Sequence, residues 1–487
     1  MARYDLLVTG GTLVFPHGGP IQADVGVRNG RIAAIVNEGD IAGSDAAQVV
    51  DARGRHVFPG AVDAHYHLGI YRPLEVDTES ETTSSLVGGA TTVVSYFRTG
   101  SHYLDKTGPY KEIFPEVLAT VAGHAKVDYG FHLAPMTTEH IGEMPWLVEE
   151  MGVSSFKYYM FYKGFNLASS SRDTKAFLMA DDYDLGHLFE IMEMAASLNA
   201  KNSGRISVSL HCEQAELMRI FIERAKTDPS VSGLAEYSAG RPPLTERLSI
   251  EEAGVLADAT GVAVNFLHLS SEVALDTALD VHRRHRDLDM RRETTLHHLA
   301  LNCEGLEAAG IGLGAKVNPP IRHEADNEAL WKALARGDIS WVASDHACCM
   351  EEHKGDDLWP AYPGFGGTAL LYPVLVSEGF HKRGIPLERI AQVASSAPAQ
   401  AYNLYGKKGT IAVGADADLL VWDGEKKHVL SQKTLHMRVD YSPYEGQEVT
   451  GAPTHVLSRG KVIVQNGSYQ GKKGDGRFVK RGTFNLM

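Results

Sequence analysis

Short apolar runs recur through the middle of the chain, separated by stretches of helical periodicity. The runs are Val57-Phe58, Thr91-Thr-Val-Val-Ser, Tyr129-Gly-Phe-His-Leu, Ser155-Phe-Lys-Tyr-Tyr, Ile206-Ser-Val-Ser-Leu, Val262-Ala-Val-Asn-Phe-Leu, Arg292-Glu-Thr-Thr-Leu and Ile339-Ser-Trp-Val-Ala. Between them, segments such as 184–199 and 245–257 place apolar residues at helical spacing. Strand alternating with helix predicts a parallel sheet. Eight such units over 56–405 predict an α/β fold, a (β/α)8 barrel with insertions. At the seventh strand, 312–317 competes with the run at Arg292.

The two ends read as short strands and turns. Asp24-Val-Gly-Val-Arg and Arg31-Ile-Ala-Ala-Ile-Val flank Asn29-Gly30, a strong hairpin signal. The tail repeats the style, with Leu419-Leu-Val-Trp and then Thr454-His-Val-Leu-Ser leading through Arg459-Gly460 to Lys461-Val-Ile-Val. Neither end carries enough apolar surface to fold alone. Residues 1–55 and 406–487 are therefore expected to pair into one β-sandwich beside the barrel. From about 470 the tail turns basic and glycine-rich, which predicts an extended or subunit-contacting arm.

Composition narrows the classes. Of 487 residues, 44% are hydrophobic and 22% charged, which fits a globular chain and argues against disorder. A net charge of −14 argues against nucleic acid as a partner, since phosphate binding needs a basic surface. No apolar stretch reaches the length of a membrane span. The opening Met1-Ala-Arg-Tyr-Asp-Leu-Leu-Val reads as a strand, not a signal peptide. Four cysteines make no disulfide framework, so a cytoplasmic location is expected.

The chain also holds 22 histidines, and their places matter more than their number. A barrel carries its chemistry where its strands end. The first run leads to His65 and His67, the fourth carries Lys157, the fifth ends in His211, the sixth in His268 and the eighth in Asp345. A lone His-x-His pair is weak evidence, but six such residues at successive strand ends form a constellation. Imidazole suits zinc and neighbouring divalent ions. Two ions held close together need an anionic bridge. A lysine ammonium cannot ligate, whereas a lysine carbamate offers two oxygens. Lys157 sits in an apolar, aromatic run where an unpaired ammonium is costly, so it either carries a carbamate or pairs with an acid. His346, Cys348, Cys349 and His353 fit no common zinc spacing, and His282 and His285 lie on a polar helix face. Glycines 10–11 and 364–367 lack nucleotide-binding spacing.

The chain resembles the amidohydrolase superfamily on its hydantoinase/dihydropyrimidinase branch. The resemblance is carried by Phe58-Pro-Gly-Ala-Val-Asp-Ala-His-Tyr-His67, Phe156-Lys-Tyr-Tyr-Met-Phe-Tyr162-Lys-Gly, His211-Cys-Glu-Gln-Ala, Arg241-Pro-Pro-Leu-Thr-Glu, Leu267-His268-Leu-Ser, Ser344-Asp345-His346 and Asp440-Tyr-Ser-Pro-Tyr-Glu-Gly. It implies two divalent ions per subunit, zinc first and manganese or cobalt as alternatives. His65, His67, Asp345 and an N6-carboxylated Lys157 would hold one ion. His211, His268 and the shared carbamate would hold the other. A hydroxide bridging the ions would attack, Asp345 would carry the proton, and Tyr162 would donate to the amide oxygen. Read from residues alone, Tyr162 is equally a rim or core tyrosine. Asn318 and Gly366 are the implied substrate contacts, and the loops 70–77 and 97–103 the implied walls around a substituent.

The resemblance further implies hydrolysis of a small cyclic amide, imide or ureide, in the hydantoinase or dihydropyrimidinase type giving an N-carbamoyl amino acid, and a homo-oligomer, either tetramer or dimer. Asn318 before Pro319-Pro320, with Glu293-Thr-Thr-Leu-His-His298 upstream, departs toward dihydroorotases. Gly69, where those enzymes carry an arginine, argues back, and allantoinases stay open. A non-catalytic scaffold is the contrasting reading, opposed by competent residues at all six ligand positions.

Overall fold

A computed structural model describes residues 2–100, 103–162, 183–201 and 205–481. Its centre is a parallel sheet whose strands follow the sequence: Ala61–His67, Ala90–Phe97, Asp128–Leu133, Ser155–Tyr159, Ser207–His211, Ala263–Phe266, Met290–Thr295 and Trp341–Ala343. Almost every residue of these strands is buried, as expected of a parallel sheet covered by helices. Helices such as Leu74–Gly88, Thr138–Glu149, Pro243–Thr260 and Glu324–Arg336 provide that cover.

Two short strands close the barrel. Trp341–Ala343 pairs with Met290–Thr295 at one end of the sheet, and His346–Ala347 pairs with Ala61–His67 at the other. Only Ser344 and Asp345 separate them, so the first and last edges belong to one run of chain. The seventh strand is the run through Arg292, and Gly312–Ala315 is a helical turn.

Val57-Phe58 does not open the barrel. It lies in His56–Pro59, which pairs with Leu419–Val429 and with Tyr4–Phe15 in the flanking sheet. The chain crosses from one sheet to the other at Gly60, where a Cβ would stand 2.2 Å from Thr91 Oγ1. The first barrel strand begins at Ala61 because only glycine fits the crossing. Doubly buried apolar residues look alike in either sheet, which is why the run alone did not separate them.

The flanking layer is one continuous mixed sheet built from both ends of the chain, not two separately hydrogen-bonded sheets. It curls over a core of its own that includes Leu6, Val25, Val57, Leu419, Val421 and Leu457. The described part of the basic tail runs along its own barrel. Tyr129 exchanges backbone hydrogen bonds with Arg477 and Val479, and the buried Arg481 donates to Ser155 Oγ at 2.8 Å. No described helix is long and apolar enough to cross a membrane, and the four cysteines are buried free thiols.

Candidate active site

The barrel strands deliver polar side chains to one end of a core otherwise filled with apolar groups. His65 and His67 are two residues apart at the end of Ala61–His67, so both reach the same side. Their Nε2 atoms each lie 3.1 Å from Asp345 Oδ1. These three ligand atoms fall within 4.8 Å of one another, close enough to share an ion. Burial lowers His67 to about 4, which keeps its ring neutral and its lone pair usable. Asp345 is held below the usual carboxylate range: burial pushes it up, but His65, His67 and His297 more than offset this.

His211 and His268 form a second group. His268 Nε2 and His211 Nδ1 face each other at 2.8 Å, and the rings of His65 and His268 stand 5.4 Å apart. The buried His268 Nδ1 has no hydrogen-bond partner among the described residues, an orphan atom of the kind a ligand satisfies. Lys157 lines the same cavity as both groups. Its Nζ sits 4.3 Å from the centre of the Tyr96 ring and 4.9 Å from that of Tyr159, and it forms no ion pair with a described carboxylate. Burial lowers this amine to about 7. Imidazoles and a carboxylate, with a buried amine of lowered pKa beside them, make a donor set that fits divalent ions.

The backbone is bent to present these groups. His268 and Asp345 both have positive φ, 36° and 50°, rare for residues with a Cβ. Each is braced from behind. Glu293 accepts from the His268 amide at 3.2 Å, from His65 Nδ1 at 2.7 Å and from Trp341 Nε1 at 2.7 Å. Asp63 accepts from the Ser344 amide and hydroxyl at 3.0 and 2.5 Å, just before Asp345. His346, just after it, meets Glu81 at 2.9 Å.

A cavity of about 280 Å³ opens over the cluster, walled by Tyr71, Arg98, Tyr103, Tyr162, Tyr237, Trp359 and Tyr362 among others. It is lined by all six predicted ligand residues, by Tyr162 and by Asn318. Tyr162 stacks on Tyr159 at 4.7 Å. Gly366 does not line it. A Cβ there would point at Met437 Sδ, 2.5 Å away, and Gly364 takes the lining position instead. Lys163 and Gly164, the end of the Phe156 motif, lie outside the described residues.

The model of the amidohydrolase family matches residues 187–463. Over 98% of its length the chain is 31% identical to a D-hydantoinase of Ralstonia pickettii, covering 99% of that protein. It is 33% identical to an allantoinase of Rubrobacter xylanophilus over 99% of this chain and 98% of that one. A solved D-hydantoinase superposes with a TM-score of 0.85 at 30% identity, with 99% of both chains covered. The chain belongs to the amidohydrolase family. It is an enzyme of the cyclic amidohydrolase group.

Several residues of this amidohydrolase's site escaped sequence reasoning. Glu293 and Glu213 stood inside quoted motifs, yet nothing marked them as partners of His65 and of His211 Nε2, which Glu213 meets at 2.7 Å. Tyr103 contacts His67 Nδ1 at 2.9 Å from a loop the sequence marked only as a wall. The signal that could have found the two glutamates is chemical: a carboxylate carried into the barrel interior at or just past a strand end needs a partner.

Proposed function

We propose that this amidohydrolase opens a small ring, taking a cyclic ureide to its N-carbamoyl acid as a hydantoinase or dihydropyrimidinase does, or a cyclic imide to its half-amide. The observation that carries the reading is the buried His65, His67 and Asp345 cluster beside Lys157 and the facing His211–His268 pair. His65, His67 and Asp345 would hold one divalent ion and His211 and His268 a second, with Lys157, carboxylated, between them. Zinc is the first choice, with manganese or cobalt suited to the same donors. Such ions supply Lewis acidity, bringing the pKa of water from 15.7 toward about 7 and polarising an amide carbonyl.

The protein's own groups do the rest. Asp345 accepts the proton of the attacking water and returns it to the departing ring nitrogen. Tyr162 donates its hydroxyl to the amide oxygen as charge builds there. Glu293 fixes the ring of His65 through Nδ1, and Tyr103 meets Nδ1 of His67. A cavity of about 280 Å³ with aromatic walls suits a small ring and one substituent. Its four free thiols favour a reducing cytoplasm as its place of work, and a homo-oligomer is the assembly proposed.

The Rubrobacter allantoinase, at 33% identity, supports allantoin as the second candidate. The test is a side-by-side assay of hydantoin, dihydrouracil, allantoin, dihydroorotate and succinimide with zinc-, manganese- and cobalt-loaded protein. Ring opening of at least one is expected, and the fastest names the substrate class. No hydrolysis of any ring by metal-loaded enzyme would overturn the proposal.

A further inference from the structure

A chain of hydrogen bonds leaves the ligand cluster and ends on the cavity wall. His211 Nε2 meets Glu213 Oε2 at 2.7 Å. Arg241 grips both oxygens of Glu213, with Nε 2.9 Å from Oε1 and Nη2 on Oε2. Arg241 Nη1 donates to the Tyr237 hydroxyl at 3.2 Å, and that hydroxyl stands 2.6 Å from the side-chain amide of Asn318. Glu213, Arg241 and Tyr237 are at most 4% exposed.

Elementary chemistry fixes the direction of each proton. A guanidinium has donors and no acceptor. The Tyr237 oxygen therefore accepts from Arg241 and turns its one hydrogen toward Asn318. Burial raises this phenol above its ordinary value, so the hydrogen stays in place. The Asn318 atom that faces it must be an acceptor, which makes it Oδ1. The flipped amide would leave the phenol hydrogen without this acceptor. Nδ2 is the remaining end of the planar amide. Asn318 lines the cavity, and no described protein group accepts from Nδ2.

We infer that Tyr237 is a positioning residue that locks Asn318 with its NH2 aimed at a ring carbonyl other than the one being cleaved. The inference rests on the ring-opening reading and assigns the residues that read the second carbonyl. The site prefers rings with a second carbonyl, ureides and imides, over simple lactams. A methylene in that place would leave the Asn318 donors unmet, and a site built to hydrogen-bond discriminates strongly against a ligand lacking the partner.

The test uses full-length, zinc-loaded enzyme and whichever ring of the panel it turns over fastest. Tyr237→Phe keeps the ring and removes the lock, and Asn318→Ala removes the donor. Each is expected to raise KM about tenfold, one hydrogen bond's worth, with kcat within about twofold. The double variant should be no worse than Asn318→Ala, and bound zinc should be unchanged in all three. Asn318→Asp exchanges donor for acceptor at constant shape and should lose more than Asn318→Ala. The unaltered enzyme should favour hydantoin over 2-pyrrolidinone by at least about tenfold. An unchanged KM in Tyr237→Phe, losses that multiply in the double variant, or zinc lost from Tyr237→Phe would each overturn the inference while leaving ring opening intact. Failure of the unaltered enzyme to open any ring would overturn the functional reading, and the inference with it.

Discussion

Two buried lysines sit among acids and histidines at two places in this molecule, and they are opposites. Lys408 contacts Asp128, Asp416 and Asp418 at 2.5, 2.9 and 2.7 Å. Those three carboxylates drive its pKa upward despite complete burial. Lys157 lies over two tyrosine rings with no described carboxylate in contact, and burial drives it down to about 7. Asp128, Asp416 and Asp418 also have the geometry to share a cation, as His65, His67 and Asp345 do. In the first cluster the cation is a side chain of the protein itself. In the second the donors converge and the lysine is not the cation. A cluster of ligating atoms is therefore a functional signal only after its internal charge balance has been read.

The contrast can be broken from either side. Asp345→Asn should abolish most turnover, by about 10³–10⁴, because it removes the proton carrier. Circular dichroism should show the fold intact, and near-normal kcat would sink the mechanism. Lys408→Met leaves the buried Asp416 and Asp418 without their cation and Asp128 with Arg459 alone. Losing one partner of such a cluster is expected to cost about 3–5 kcal/mol of stability in urea titration, while the zinc content of the folded fraction stays the same. Equal stability of variant and parent would show that the Lys408 site is not held by its charge balance. Tyr162→Phe should lower kcat by about 10²–10³ with little change in zinc. Steady-state kinetics on the best ring would check it, and an effect on KM alone would make Tyr162 a wall residue. Glu293→Gln keeps the size of the brace and weakens its hold on His65. Metal affinity should fall about 10–100-fold, measured by competition with a chelator, and an unchanged affinity would remove Glu293 from the site.

Much of this was legible in the chain. His65, His67, His211, His268, Lys157 and Asp345 could be picked out because strand periodicity told where strands end, and a barrel puts chemistry there. The barrel's first strand was misplaced at Val57-Phe58 because two sheets meet at Gly60, and both want doubly buried apolar residues there. The pairing of the two chain ends into one flanking β layer was legible from their strand patterns, whereas the single continuous ladder that joins them, order and register included, was not. Gly366 was placed by motif position, and only the packing of Met437 shows which glycine faces the cavity. Glu213, Arg241, Tyr237 and Asn318 are spread over more than a hundred residues, and no spacing rule connects them.

The eighth strand has a consequence of its own. Its two halves hydrogen-bond to opposite neighbours, and Asp345 occupies the joint between them. The peptide that zips the cylinder shut is also the one that bears the carboxylate. Heating that parts the zip displaces the carboxylate at the same moment, so heat inactivation needs no prior melting of the helices outside. A permuted chain with new termini at this joint would forfeit its chemistry even if every other strand found its place.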